Sequence, residues 1–137
     1  MTLLHKSTIL AGLSHITAML AGLLLLFFPV ISEFEQIIDS GNFTQQIQTN
    51  KTIFEALGPQ GLFVIILPWF LSAVCIFSSI MAKAANNNHK TLILRWKSYS
   101  WAVSVIFVVF ILISISSVGT FYIPSGLFAI ASSFYNR

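Results

Sequence analysis

The sequence predicts an all-α integral membrane protein with four transmembrane helices, both termini in the cytoplasm and one larger outer loop with short interfacial helices. Three observations predict this class: 56% hydrophobic residues, 8% charged residues, and long uncharged segments between the charges. A soluble domain carries about 25% charged residues, so this chain of 137 residues could not cover its own surface. The composition therefore excludes a soluble enzyme and a nucleic-acid partner.

The number of spans follows from the uncharged segments, which are residues 7–32, 56–82 and 98–136, of 26, 27 and 39 residues. A helix needs about 20 residues to cross a hydrocarbon core of about 30 Å. The third segment would be about 58 Å long as one helix, so it must fold back as a hairpin. We expect a single domain, residues 1–137, with spans at about residues 7–31, 59–82, 96–118 and 120–135.

The turn of that last hairpin is expected at residues 116–120. Gly119 can take the left-handed conformation that closes a helix. Pro124 then falls near the start of the fourth span, where a missing N–H does least harm. This span is short, so we expect it to sit upright, to thin the membrane or to be enclosed by the other helices.

The distribution of charge predicts the orientation, because short cytoplasmic loops retain Lys and Arg. All four acidic residues lie between spans one and two, together with Lys51. The other six basic residues lie on the opposite side: Lys6, Lys83, Lys90, Arg95, Lys97 and Arg137. We therefore expect both termini in the cytoplasm and the chain in a plasma or inner membrane.

The outer loop, residues 33–58, is the largest polar segment. Phe34, Ile37 and Ile38 share one helical face, and Ile53 begins a second short apolar run. This pattern predicts two short interfacial helices that flank a polar stretch.

His15 is the first candidate for chemistry, because an ionisable group inside a membrane span costs free energy and is a functional hypothesis by default. It belongs to a helical stripe that is otherwise small: Ala11, His15, Ala18 and Gly22. Small residues allow another helix to approach closely in lipid. We expect His15 to face protein, as a neutral side chain hydrogen-bonded across a helix interface.

Cys75 is a possible partner for His15, because both lie about 12 to 14 Å from the cytoplasmic side. It lies on a second small stripe with Ser72, Ser79 and Ala82, so the two stripes are candidate mating faces of spans one and two. His15 and Cys75 are weak candidates for a metal, because two ligands are missing from a tetrahedral site. A b-type haem at His15 would need a second histidine from another subunit. We therefore predict no metal or cofactor.

Other residues are assigned to bending, anchoring and packing. Pro68 should kink span two and is a candidate hinge. Ser125 and Ala129 should pack span four against span three. An aromatic and basic group should anchor span three at the headgroups: Arg95, Trp96, Lys97, Tyr99 and Trp101.

The spans contain no Asp, Glu, Lys or Arg, the usual coupling residues of pumps and exporters, and the chain contains no phosphate loop or catalytic motif. We therefore expect no enzyme activity. The leading hypothesis is a small non-catalytic accessory subunit or assembly partner of a larger membrane complex, in contact with lipids and other integral membrane subunits. The alternative is a homo-oligomeric channel or small transporter with His15 and serine stripes along its path. A cofactor-binding subunit that uses His15 is a third possibility.

Overall fold

A computed structural model describes residues 3–38, 44–85 and 90–135 of the chain. Asp39 and Arg137, which contribute to the charge pattern, lie outside the described residues. The described chain is mainly helical. Its elements are α1 (Leu3–Phe27), β1 (Ile31–Ile38), β2 (Thr44–Lys51), α2 (Ile53–Leu57), a 3-10 turn (Gly58–Gln60), α3 (Gly61–Ala85), α4 (Lys90–Ile113) and α5 (Gly119–Tyr135).

Three segments are long and apolar enough to cross a membrane: His5–Phe27, Ile53–Ala85 and Thr91–Ile113. The first lies in α1, the second runs from α2 through the 3-10 turn to the end of α3, and the third lies in α4. This confirms a mainly helical chain with helices suited to membrane insertion. The fourth long helix, α5, is shorter, with 17 residues.

The four long helices form a bundle in which α1 and α4 each pack against both α3 and α5. The helices therefore occupy the corners of a square, with α1 and α4 diagonally opposite. Helices that follow each other in the chain are neighbours and antiparallel, the up-down-up-down order of simple bundles. Large apolar side chains such as Phe63, Phe70 and Leu127 point outward, whereas the interior combines many small residues and serines with a few large side chains such as Phe107 and Tyr122. This distribution suits a bundle surrounded by lipid, where small residues at helix interfaces allow close packing.

The connection between α4 and α5 differs from the expected turn at residues 116–120. α4 ends at Ile113, the turn covers residues 114–118, and Gly119 is the first residue of α5. Among the glycines of the described chain, Gly58 has a positive φ and Gly119 does not, so the left-handed role given to Gly119 is wrong. A glycine is needed there for space, because a Cβ would collide with the carbonyl group of Ile111 and with Ser114.

The first interfacial helix expected in the outer loop is also wrong, because Phe34, Ile37 and Ile38 lie in strand β1. β1 pairs antiparallel with β2 from Ile31 opposite Lys51 to Ile38 opposite Thr44. The polar stretch expected between the two helices supplies the partner strand. Its backbone hydrogen bonds to β1 are long-range, so the local periodicity of Phe34, Ile37 and Ile38 does not report them. Lys51 and Glu33 add an ion pair of 2.9 Å across the two strands.

The second short helix does occur, as α2, and its ends have clear physical causes. The Thr52 side chain accepts from the Glu55 backbone N–H, and the Glu55 carboxylate accepts from the Thr52 N–H. This capping box fixes the start of α2. Gly58, with a φ of 57°, ends it, a conformation that favours glycine. Gly61, which begins α3, allows Ile53 to pack against it, because a Cβ there would lie 2.9 Å from the Ile53 carbonyl oxygen.

Candidate functional site

The polar groups in the interior of the bundle are mainly serine hydroxyls, because ten serines are buried there. A buried hydroxyl without a partner is costly, and in lipid no water can replace the partner. Most of these hydroxyls therefore bond to a neighbouring helix. The ten residues are Ser7, Ser14, Ser72, Ser78, Ser79, Ser100, Ser104, Ser125, Ser132 and Ser133.

One serine cluster joins three helices near the end of the bundle where α1 begins and α5 ends. Ser7 of α1, Ser79 of α3 and Ser132 of α5 form a triangle, with Oγ–Oγ distances of 3.2 to 3.3 Å. The Ser7 hydroxyl lies 3.0 Å from the Ser132 carbonyl oxygen, and the Ser132 hydroxyl lies 3.0 Å from the Ser7 carbonyl oxygen. This reciprocal contact brings the backbones of α1 and α5 close together.

A second serine pair repeats that contact farther along the same two helices. Ser14 donates to the Ser125 carbonyl oxygen at 2.9 Å, and Ser125 donates to the Ser14 carbonyl oxygen at 2.6 Å. Ser14 follows Ser7 by seven residues, and Ser125 precedes Ser132 by seven residues. The two pairs therefore lie two turns apart on antiparallel helices.

The α4–α5 interface uses the same chemistry. Ser133 donates to the Ser100 carbonyl oxygen at 3.1 Å, and Ser104 donates to the Ala129 carbonyl oxygen at 3.1 Å. The Ser104 and Ser133 hydroxyls are 2.8 Å apart. Serine therefore connects α5 to both of its neighbours.

His15 is half-buried at the α1–α3 interface, and its Nδ1 lies 2.9 Å from the Ser72 Oγ. The Ser72 hydroxyl donates to the Trp69 carbonyl oxygen, also at 2.9 Å. Because Ser72 has one hydroxyl hydrogen and directs it to Trp69, we infer that its oxygen accepts from His15 and that Nδ1 carries the ring proton. The predicted partner, Cys75, lies one turn farther along α3 and forms no hydrogen bond with His15.

Trp69 makes a second polar contact between α1 and α3. Its indole Nε1 donates to the Ala18 carbonyl oxygen at 2.9 Å. The ring lies directly over Gly22, where a Cβ would be 2.5 Å from Nε1. Gly22 therefore provides the space that this indole needs.

We expect Trp69→Phe to destabilise the bundle by about 1 kcal/mol, because it keeps an aromatic ring but removes the bond to α1. Trp101→Phe is the matched control. The Trp101 ring contacts Phe134 edge to face, and phenylalanine preserves that contact. The free energy of unfolding by a denaturing detergent in mixed micelles is measured for both variants. Equal stability of the two would show that the indole bond contributes nothing.

Cys75 is fully buried on a neighbouring face of α3. Its thiol faces the hydroxyls of Ser100, Ser104 and Ser132 from α4 and α5. Among residues 3–38, 44–85 and 90–135, no three His, Cys, Asp or Glu side chains are grouped so that they could hold a metal ion. The two weak metal candidates, His15 and Cys75, thus contact different helices.

The remaining predicted residues have the following positions. Ala11, Ala18, Gly22, Ser72, Ser79 and Ala129 are buried in the bundle, as is Ser125. Pro68 is buried inside α3, which continues through it as one helix. Trp96 packs edge to face against Phe77 and Tyr99, while Arg95 and Tyr99 are exposed near the start of α4 and Lys97 is half-buried there.

A cleft of about 480 Å³ opens at the end of the bundle that carries the β-hairpin. It lies between the base of the β-hairpin, α2 and the α4–α5 turn. Glu33, Ser116 and Thr120 supply polar groups, and Leu57 and Phe121 supply apolar ones. Glu33 also forms the ion pair with Lys51.

Sequence reasoning missed several interior residues, namely Ser7, Ser14, Ser100, Ser104 and Ser133. The signal was present, because Ser7 and Ser14 share the face of Ala11 and Ala18. Comparison of the chain with protein-family models, with curated proteins and with solved structures finds no match.

Proposed function

We propose that this chain is an integral membrane protein with four transmembrane helices and cytoplasmic termini that serves as a non-catalytic accessory subunit or assembly partner of a larger membrane complex. The observation that carries the proposal is the use of the polar interior. The buried serines bond to neighbouring helices or to their own helix, so the serine hydroxyls hold the helices together.

The contacts of α5 support its role as a fourth span. α5 packs along α1, an apolar helix of 25 residues. The Ser125–Ser14 and Ser132–Ser7 pairs connect the two helices. At its cytoplasmic end, Lys6 lies 5.9 Å from the centre of the Tyr135 ring. At 1.5 Å per residue, α5 is about 26 Å long. A helix of that length, enclosed by α1 and α4, matches a slightly thinned hydrocarbon core.

The position of the serines favours an accessory subunit over the alternative of a homo-oligomeric channel. A shared path between copies would need polar groups on the outer surfaces of the spans. Away from the helix ends, the exposed side chains of the described spans are apolar, such as Ile16, Phe70 and Val109. Ser125 and Ser132 point into the bundle instead and are bonded to α1.

The outer hairpin supports a partner outside the bilayer. A two-stranded hairpin is marginally stable alone, and both of its outer edges are unpaired in the described chain. Phe34 is 68% exposed and Ile47 is 45% exposed on it. Exposed apolar residues on an open sheet are typical of surfaces that contact another protein.

After Arg137, we expect a reporter that works only in the cytoplasm to be active and a reporter that works only outside to be inactive. Between Gln48 and Thr49, we expect the opposite result. The segregation of four acidic residues from six of the seven basic residues predicts this result. Paired alkaline phosphatase and green fluorescent protein fusions measure it. An outside location of the Arg137 fusion would show that α5 does not cross the membrane.

The complex itself is tested with native membranes solubilised in a mild detergent. Size-exclusion chromatography with light scattering gives the protein mass, and quantitative mass spectrometry gives the stoichiometry. We expect a particle that contains this chain and one or more foreign membrane subunits in fixed integer ratios. A particle whose protein mass is an integer multiple of 15.2 kDa would favour the homo-oligomer and overturn the proposal.

A further inference from the structure

The surface of α1 that faces away from the bundle, next to His15, has a hydrogen-bond acceptor without a partner and a notch beside it. The Nδ1–H donates a hydrogen bond to Ser72, so Nε2 of the neutral ring carries a lone pair. Among the described residues, no group bonds to Nε2, and the ring is half-buried, not enclosed. His15 lies about 13 Å from Lys6 along α1. An open acceptor at that depth faces hydrocarbon, where lipid offers it no donor.

Gly12 lies one turn before His15 on the same outer side of α1. A glycine inside a helix costs about 1 kcal/mol relative to alanine, and packing within this bundle does not explain it. A Cβ added to Gly12 would meet nothing within 4 Å, in contrast to Gly22, where it would collide with Trp69. Gly12 therefore leaves a notch in the surface next to the free nitrogen of His15.

We propose that Gly12 and His15 form a docking surface for a transmembrane helix of another subunit, and that this helix donates a hydrogen bond to His15 Nε2. The inference rests on the proposed accessory function and specifies the surface that carries it. Close helix approach at a small residue, together with a polar side chain that bonds across the interface, is the combination that holds helices together in lipid. Ser72 is a positioning residue, because it fixes the tautomer and the ring orientation.

A two-fold pair of copies centred on His15 does not supply the donor. Two copies related by a two-fold axis at His15 would place one acceptor against another. The exposed side chains at this depth are apolar, such as Met19, Phe70 and Val109. Thr17, which is half-buried, donates its hydroxyl to the carbonyl oxygens of its own helix. The donor must therefore come from a different protein, as a Ser, Thr, Asn, Gln or Trp side chain.

The test uses the full chain in native membranes, with Gly12→Leu and His15→Leu as disrupting variants. We expect each to reduce the amount of foreign subunit recovered per chain about tenfold. His15→Gln keeps an amide donor for Ser72 and an oxygen acceptor for the partner, so it should retain most of the complex. Met19→Leu is the control, because it keeps an apolar side chain of similar size on the same face.

A second readout separates docking from folding. Gly12→Leu should leave the thermal stability of the purified chain within about 2 °C of wild type, since its Cβ has open space. A photoreactive phenylalanine analogue at Met19 should crosslink to a foreign subunit, whereas the same analogue at Val109, on the diagonally opposite helix, should not.

The contradicting outcomes are distinct from a failure of the proposed function. An intact complex in both Leu variants, or crosslinks from Val109 alone, would overturn the docking surface while the accessory function stands. A wild-type chain without foreign subunits would overturn both. Haem or metal that copurifies stoichiometrically and is lost in His15→Gln would show that Nε2 binds an ion and not a helix.

Discussion

Gly22→Leu should destabilise the bundle by about 3 kcal/mol or more, the largest effect that we expect from a single substitution in α1. The added side chain would occupy the volume of the Trp69 indole, since its first carbon alone would lie 2.5 Å from Nε1. Trp69 would have to leave its bond with the Ala18 carbonyl oxygen, which lies at the centre of the α1–α3 interface. Both the steric conflict and the lost hydrogen bond separate the same two helices.

Gly12→Leu is the matched control, because it makes the same chemical change in the same helix at a position with open space. Thermal unfolding in detergent, followed by fluorescence-detected size exclusion of a fusion protein, compares the two. We expect a large loss of folded protein for Gly22→Leu and almost none for Gly12→Leu. Equal stability of the two variants would mean that α1 does not pack against Trp69, and the arrangement of the bundle would be wrong.

The contrast between these glycines shows what the sequence can and cannot predict. The small stripe of Ala11, Ala18 and Gly22 follows from helical periodicity, and the structure buries all three residues. Periodicity does not reveal that Trp69 covers Gly22 or that nothing covers Gly12. Those facts depend on the rotation of α3 about its own axis, which side-chain packing between distant segments determines.

The outer loop shows a different limit of the sequence. Phe34, Ile37 and Ile38 fit a helical face, but the segment is a strand because residues 44–51 pair with it. A strand is stabilised by pairing with its partner. The partner strand here is polar and has no sequence pattern that predicts a strand. The capping box of Thr52 and Glu55, in contrast, is a local signal that lies within four residues, and α2 forms where a short helix was expected.

The position of His15 was predicted in part. Its position inside a span predicted a bond across a helix interface, and the structure places it against Ser72. The expected partner, Cys75, was chosen by its depth and by its place on a stripe of small residues, and Ser72 belongs to the same stripe. Ser72 precedes Cys75 by three residues and lies about 60° away around α3, and that rotation decides which side chain meets α1.

Ser132→Val should destabilise the bundle by about 3 kcal/mol, because Ser132 lies where three helices meet. Its hydroxyl contacts Ser7 of α1 and Ser79 of α3 and donates to the Ser7 carbonyl oxygen. Valine removes these bonds and adds a branched carbon at a fully buried position. Ser132→Ala, which removes the bonds without adding volume, should cost about 1 kcal/mol, the order found for interhelical hydrogen bonds in bilayers.

Ser98→Val is the control for Ser132→Val, because Ser98 is exposed and bonds only within α4, to the Leu94 carbonyl oxygen. The free energy of unfolding in mixed micelles is measured for each variant, and a double-mutant cycle of Ser7→Ala with Ser132→Ala measures the coupling between these two side chains. We expect a coupling energy of about 0.5 to 1.5 kcal/mol for this pair. A coupling of zero, with equal costs for Ser132→Val and Ser98→Val, would show that α5 is not held against α1 by its serines, and the argument for α5 as a fourth span would lose its support.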